Sequence, residues 1–482
     1  MKGRLGKAGR RWLLLFHRWV GIAAGPFFAL WIGSGLVMLY VPFPILTGAE
    51  RLERLAPIAW DQVAVAPDAA LAAGGVDVPV AFGLEMRGEE PVYRITRRDG
   101  TWATISARSG RELGPATSAE ALRVAGAGFP EARVELVWRD QWTVTARYDP
   151  LRPFLKVALG DTAGTELYVS AITGAVVLDT SRVERGWNWV GSVAHWIYLT
   201  PLRAQAEMWR TILLWLSGLA SLGALSGLAI GIWRLRVRRP YARGAVTPYR
   251  GLARWHHLCG LAGGIGLGAF IVSGWISMNP NRWFTSLRPP ADLHMAYAGT
   301  PPALGFDARH LGDFATPDTR ALRFVAIGGR WWVVAEAPDG PRTIGADGAT
   351  ALDAGTIAVA AMQGFPGAPL RAARQLSAYD AYWYPHGTDP RPLPVLRLRF
   401  GDAASTWLHI DPRDGTILQR LDRSGRINRW LFDAPHRLDL PGLTSNRARH
   451  DAAQWVLNLL AAGIALTGIV SGWRRLRRAL AA

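Results

Sequence analysis

The chain has 482 residues, is 50% hydrophobic and 19% charged, and carries a formal net charge of +18 with one cysteine. That apolar content excludes a disordered chain, and a lone cysteine excludes a disulfide scaffold or a Cys-based zinc or iron–sulfur site. The basic excess first suggests a nucleic-acid binder, but 23 Trp and a mean hydropathy of +0.09 point to a membrane instead.

Taken in chain order, four stretches reach the roughly 20 apolar residues that a bilayer crossing needs. They are Trp12 to Val41, Thr211 to Trp233, Trp255 to about Met278, and Ala452 to Trp473. A buried core helix is the alternative for any one of them. Four together, with Trp or Tyr near most ends, favour spans. The first is too long for a signal peptide and lacks a clean small-residue cleavage site, so it reads as an uncleaved span.

The basic residues orient these spans. Residues 1–11 hold five Lys or Arg, residues 234–254 seven Arg, and residues 474–478 four Arg, all without an acid. Of the 55 basic residues, the other 39 stand against 37 acidic ones. The excess is therefore concentrated at one set of span ends, which the positive-inside rule makes cytoplasmic. Nucleic acid falls away as a partner, and the lipid bilayer takes its place. The parts are then a cytoplasmic N-terminus and first span (1–41), an outer domain (42–190), and an interfacial segment with the second span (191–239). A cytoplasmic loop with the third span (240–280), a second outer domain (281–430), and an interfacial segment with the fourth span and cytoplasmic tail (431–482) follow. Strand-like runs at Pro91–Thr96 and Arg330–Val334 precede Asp-Gly turns, and helical patterns fall at Ser118–Gly126 and Ala354–Gly364. The outer domains therefore read as α+β.

The chain repeats itself. HRWVGIAAG around His17 aligns with HHLCGLAGG around His256, and Ser34-Gly35 aligns with Ser273-Gly274. His195 aligns with His436, Gly227 with Gly468, and Gly231 with Gly472. All matches lie 239 to 241 residues apart, as a tandem duplication of a span–domain–span unit would place them. The fold class is thus a four-span helical membrane bundle with two α+β outer domains, its halves related by a pseudo-twofold axis along the membrane normal.

Four histidines occupy equivalent repeat positions. His17 and His256 fall at the cytoplasmic ends of the first and third spans, His195 and His436 near the outer ends of the second and fourth. Two histidines from two helices at one depth are what a bis-His haem needs. Gly21 and Gly260, four residues on, remove side chains that would block a porphyrin; close helix packing is their other explanation. His257 competes with His256, and His450 with His436. Arg18 either snorkels or pairs with a haem propionate. Trp138, Trp142, Tyr379, Tyr382, Trp383, Tyr384 and His386 are candidates to line a docking surface, domain core being the alternative. Gly263 to Gly268 has Gly-x-Gly spacing inside a span, with no Rossmann strand before it.

The opening HRWVG, the second HHLCG, the Ser/Thr-Gly late in each span and WLFDAPHRLDL at 430–440 resemble the PepSY-associated transmembrane family. That family includes bacterial inner-membrane ferric-siderophore reductases and iron-regulated membrane proteins. The resemblance covers nearly the whole chain. It implies PepSY-like periplasmic domains, two b-type haems on His17, His256, His195 and His436, and electron transfer to a ferric siderophore or other ferric chelate. The cytoplasmic segments are too short for a flavin or nicotinamide domain, so a quinol or a separate cytoplasmic reductase would be the donor. Two other classes stay open: a haem-free signalling or assembly protein with partner-binding outer domains, and an iron-chelate transporter.

Overall fold

A computed structural model describes residues 2–125, 128–348, 350–385 and 391–481. In an apolar medium a chain must satisfy its own backbone groups, and a run of apolar residues does so as a helix. Among the described residues four long helices result: α1 (Lys2–Met38), α2 (Ala206–Arg234), α3 (Gly251–Ser277) and α4 (Arg447–Leu480). Each contains a segment long and apolar enough to cross a membrane. Helices α2 and α4 begin earlier than their apolar stretches, inside segments that look interfacial by composition. At α4 the reason is local: Asn446 caps the first turn by accepting from Arg449 N–H, and Arg447 pairs with Asp451 at 2.9 Å one turn on.

Helices α1 and α3 each pack against both α2 and α4, so α1 and α3 face each other across the bundle. Its middle is filled by Ala24, Phe28 and Ile32 of α1, Ala220 of α2, Leu267 and Ile271 of α3, and Ala461 and Ala465 of α4. Small residues let the backbones close in. A Cβ on Gly263 would stand 2.7 Å from the Leu460 Cβ, so close α3–α4 packing accounts for this glycine.

All strands among the described residues lie in the connections α1–α2 and α3–α4, and hence at one end of the bundle. The first connection carries β1 (Ala81–Arg87), β2 (Glu90–Thr96), β3 (Trp102–Ser106), β4 (Arg133–Val137), β5 (Phe154–Ala158), β6 (Glu166–Ser170) and β7 (Val176–Thr180). The second repeats the set as β8 (Ala321–Ile327), β9 (Arg330–Ala337), β10 (Gly340–Gly345), β11 (Leu370–Leu376), β12 (Val395–Phe400), β13 (Trp407–Ile410) and β14 (Ile417–Leu421). The expected helices form at Ser118–Ala125 and Ala354–Met362. The four-stranded sheets β4–β7 and β11–β14 belong to one half each, and all pairings are antiparallel.

The two outer segments are not the two separate sheet systems that the sequence suggests. The remaining six strands form one sheet, ordered β10-β9-β8-β1-β2-β3, in which β1 pairs with β8 through Gly83↔Arg323, Leu84↔Leu322 and Glu85↔Ala321. The physical reason is edge removal: two three-stranded meanders each leave an open strand edge, and the two edges satisfy one another. Leu84 and Leu322 at the seam are fully buried. Leu322→Ala is expected to lower stability by about 2–5 kcal/mol, the range for a buried leucine, read as the denaturant midpoint of the purified protein.

A charged chain crosses the same seam. Arg51 reaches Glu85 of the first half at 2.7 Å and Glu336 of the second at 2.9 Å, and Arg323 bridges Glu336 and Asp414 at 2.7 and 2.5 Å. Arg94 also pairs with Glu85. Burial alone would raise the Glu85 carboxyl; Arg94 and Arg51 outweigh it and hold the group below its ordinary value of 4.5. A depressed carboxyl contributes stability that is present above its unfolded value and is lost as pH falls through the folded one. The thermal midpoint is therefore expected to fall on acidification below about pH 4.5. Glu85→Gln should lower the midpoint at neutral pH and flatten that acid branch. An acid branch identical in both proteins would assign the effect elsewhere.

Candidate functional site: two histidine layers

His17 lies on α1, and its ring edge rests on α2. Its Nδ1 is 3.2 Å from the Gly223 carbonyl oxygen and 3.2 Å from Ser226 Oγ. Gly227 makes room for the ring, since a Cβ there would stand 2.6 Å from His17 Cε1. The second half repeats this arrangement. His256 of α3 has its Nδ1 3.1 Å from the Ile464 carbonyl and 3.0 Å from Thr467 Oγ1 of α4, and its ring lies against Gly468. The His17 and His256 ring centroids are 6.4 Å apart.

The other pair sits at the sheet end. His195 and His436 occupy the short helices Ala194–Trp196 and Ala434–Arg437. Each is approached through a capped helical segment and a π-helical turn, Trp189–Val193 or Arg429–Asp433. The extra residue of a π turn re-aims the side chains that follow, and such turns gather at functional sites. Each short helix then stops at a left-handed residue, Ile197 or Leu438. His195 Nδ1 meets Ser34 Oγ of α1 at 3.0 Å, and His436 Nδ1 meets Ser273 Oγ of α3 at 3.1 Å and the Phe270 carbonyl at 3.0 Å. The rings lie against Gly35 and Gly274, with centroids 6.2 Å apart.

These contacts fix the tautomers. A carbonyl only accepts, so Nδ1 of His17, His256 and His436 must carry the proton. Ser34 spends its own hydroxyl proton on the Leu30 carbonyl at 2.6 Å, so it too accepts from His195 Nδ1–H. In each ring the Nε2 lone pair is then left as the donor to a metal, and among the described residues none hydrogen-bonds it. An oriented imidazole whose other nitrogen donates to the protein is how metal-binding histidine is built. Ser34→Ala is expected to weaken ligand retention at the sheet-end layer by about 10–100-fold, the usual cost of losing such a partner. Ser273→Ala should cost less, because the Phe270 carbonyl remains.

The spacing fits a metal held between rings. With metal–nitrogen bonds of about 2.0–2.1 Å, and nitrogen about 1.2 Å from the ring centre, opposed imidazoles bracket one ion at a centroid separation of about 6.4–6.6 Å. The His17–His256 pair, at 6.4 Å, meets that figure, and the His195–His436 pair, at 6.2 Å, stands slightly inside it. Two nitrogens do not complete a bare metal site, and among the described residues no group of three or more His, Cys, Asp or Glu is arranged to hold a metal ion. The donor set therefore suits a metal that brings its own equatorial ligands. Gly21 and Gly260 agree with this. A Cβ at either meets nothing within 4 Å, so helix packing does not explain them. The layers are separated by 17 residues along α1 and along α3, about 26 Å at 1.5 Å per residue.

The competing histidines have other employment. His257 is buried, with Nε2 3.0 Å from the Gly231 carbonyl and its ring against Tyr249, so His256 is the one that faces His17. His450 Nε2 bonds the Arg437 carbonyl at 2.7 Å and bridges helix segments. Arg18 is exposed and lines a concavity of about 420 Å³ with Lys7, Arg10, Arg11, Trp233 and Arg234.

Among the docking candidates, Trp383 and Tyr384 are a correction. They are only 1% and 5% exposed and belong to the core: Trp383 stacks on His409, and Tyr384 donates to Asp439 at 3.2 Å. Trp142 is likewise buried. Tyr382 is half-buried, Trp138 and Tyr379 are exposed, and His386 lies outside the described residues. His409 accepts from Arg397 at 2.7 Å; burial first, then that guanidinium, pushes it down to about 3, so it is neutral.

The supporting residues Ser34, Ser226, Ser273 and Thr467 are the hydroxyls of the Ser/Thr-Gly pairs late in each long helix, whose role as histidine partners the sequence reading did not assign. Their signal is in the repeat, where a hydroxyl recurs at 226 and 467 as it does at 34 and 273. No protein-family model matches the chain, and comparison with curated proteins finds no match.

Proposed function

We propose that the chain is a transmembrane electron-transfer protein that holds two b-type haems and reduces a ferric chelate, such as a ferric siderophore, on the side of its sheets. One observation carries this reading. Four histidines at repeat-matched positions have Nδ1 committed to the protein and stand in two pairs with ring centroids 6.4 and 6.2 Å apart. His17 with His256, and His195 with His436, would hold the two haem irons. A b-type haem bound in this way supplies a one-electron ferric–ferrous couple.

The chain's own residues do the rest. The serine, threonine and carbonyl acceptors hold each imidazole in the Nδ1–H tautomer. The glycines under the rings set their depth. The apolar middle of the bundle excludes water between the layers. The basic ends at residues 1–11, 234–254 and 474–478 support a cytoplasmic location for the His17–His256 layer. The sheets would then be periplasmic and PepSY-like, as the family resemblance implies, in a bacterial inner membrane. Electrons would come from a quinol or a separate cytoplasmic reductase. Hard oxygen ligands favour ferric over ferrous iron, so one-electron reduction loosens the metal from its chelate.

The test is vectorial. Vesicles carrying the purified protein are given quinol in the bilayer and a ferric chelate on the sheet side, with a ferrous-specific chromophore to read the product. Chromophore formation that His436→Ala abolishes supports the proposal. Formation at the protein-free rate would sink it.

A further inference from the structure

The duplication supplies an internal control for the sheets. In the first half, one face of β4–β7 carries a balanced row: Glu135 opposes Lys156 at 3.5 Å, and Tyr168 follows. The matching row of β11–β14 is Arg374, Arg397 and His409. Like charges directly opposite destabilise a sheet; here Arg374 opposes Arg397, which Asp380 pairs bidentately at 2.6 and 2.9 Å. The next row changes too. Arg133, Ala158 and Glu166 become Ala372, Arg399 and Trp407.

Around Trp407 the second half gathers cations. Arg397, Arg399 and Arg426 stand 5.0, 4.6 and 4.5 Å from its ring centre. Arg374 and Arg399 are exposed, and among the described residues neither has an ion-pair partner. Burial, with repulsion from Arg399 and Arg423, lowers the Arg426 guanidinium against the opposing pull of Tyr382 and Asp422. This face also leads toward the histidines. Trp407 meets Tyr382 edge-on at 5.2 Å, and Tyr382 accepts from Trp430 Nε1 at 3.1 Å. Trp430 shares its π turn with Phe432, whose ring is 5.2 Å from that of His436.

We propose that the face formed by Arg374, Arg399, Arg426, Trp407 and Tyr382 docks an anionic ferric chelate with aromatic, catecholate-type ligands. Guanidinium groups meet its negative charge, and the Trp and Tyr rings meet its catechol rings. The proposal rests on the reading of His436 as part of the outlet for electrons. It assigns substrate selection to the second half alone.

Binding can be measured without redox chemistry. The full-length protein in nanodiscs is titrated calorimetrically with the gallium(III) complex of a hexadentate tricatecholamide, which is trianionic and redox-inert, and with a neutral gallium(III) trihydroxamate. The trianionic complex should bind, more weakly as salt is raised, and the neutral one should not. Arg399→Glu and, separately, Arg374→Glu on the exposed strand β11 should each weaken binding by about tenfold or more. Ala158→Glu, at the matching first-half position, should leave it unchanged. Equal affinity for both complexes, or a folded Arg399→Glu or Arg374→Glu protein that binds as before, overturns the docking site. So does an equal loss with Ala158→Glu. If gallium binding behaves as stated but no haem is found, docking stands and the conduit falls. If haem and reduction are found with charge-indifferent binding, the reverse holds.

Discussion

If the chain holds two haems as proposed, replacing His17 by alanine is expected to leave the purified protein with one. His256→Ala should do the same, because the two rings, 6.4 Å apart, serve one site. The double variant should lose no more than either single one, since residues that act as a unit are not additive. His195→Ala and His436→Ala should each remove the other haem, and one substitution from each layer should remove both. Pyridine haemochrome content per chain is the measurement. His257→Ala and His450→Ala are the comparisons: their nitrogens are committed to the Gly231 and Arg437 carbonyls, so both haems should stay. A His17→Ala protein that loses both haems while keeping its thermal midpoint would break the two-layer assignment.

The second large effect concerns residues that touch no ligand. Each histidine ring lies on a glycine of the neighbouring helix, and the room differs. A Cβ would stand 2.6 Å from Cε1 of the ring at Gly227, 3.2 Å at Gly468, 3.3 Å at Gly274 and 3.5 Å at Gly35. A separation of 2.6 Å forces a shift, whereas 3.5 Å is ordinary contact. Glycine-to-alanine substitution is therefore expected to expel haem in that order. Gly227→Ala should approach the loss seen with His17→Ala, and Gly35→Ala should be nearly silent. Helix propensity runs the other way, since alanine is favoured over glycine by about 1 kcal/mol in a helix. Gly227→Ala should thus lose haem without losing helix, as circular dichroism would report. Equal haem in all four variants would mean that the rings are not held where these glycines place them.

Much of this was legible in the sequence, for physical reasons that differ by element. The four long apolar helices show because an unbroken apolar run with basic flanks lies within one window of sequence. The histidine positions show because a duplicated chain writes each position twice. The choice between His256 and His257 does not show, since adjacent helix positions differ only in the direction they face. What decides it is the neighbour: Thr467 and Ile464 for one, Gly231 for the other. The joining of β1 to β8 is equally hidden. Strand periodicity records which face is buried, and pairing between strands about 240 residues apart leaves no local mark. Trp383 and Tyr384 misled because an aromatic run looks the same whether it faces solvent or a core; the turn held by Asp380 sends both inward. The arginine face around Trp407 became visible only once strand register set Arg374 beside Arg397 and Arg399 beside Trp407.

Haem held between the paired histidines has its own spectroscopic signature. The most direct measurement is the dithionite-reduced minus oxidised absorption spectrum of the protein purified from haem-replete cells, with haem and protein quantified on the same sample. The expected spectrum has the sharp α-band of a low-spin b-type haem with bis-imidazole ligation, at two haems per chain. A folded, pure protein with no haem bands would contradict the proposal.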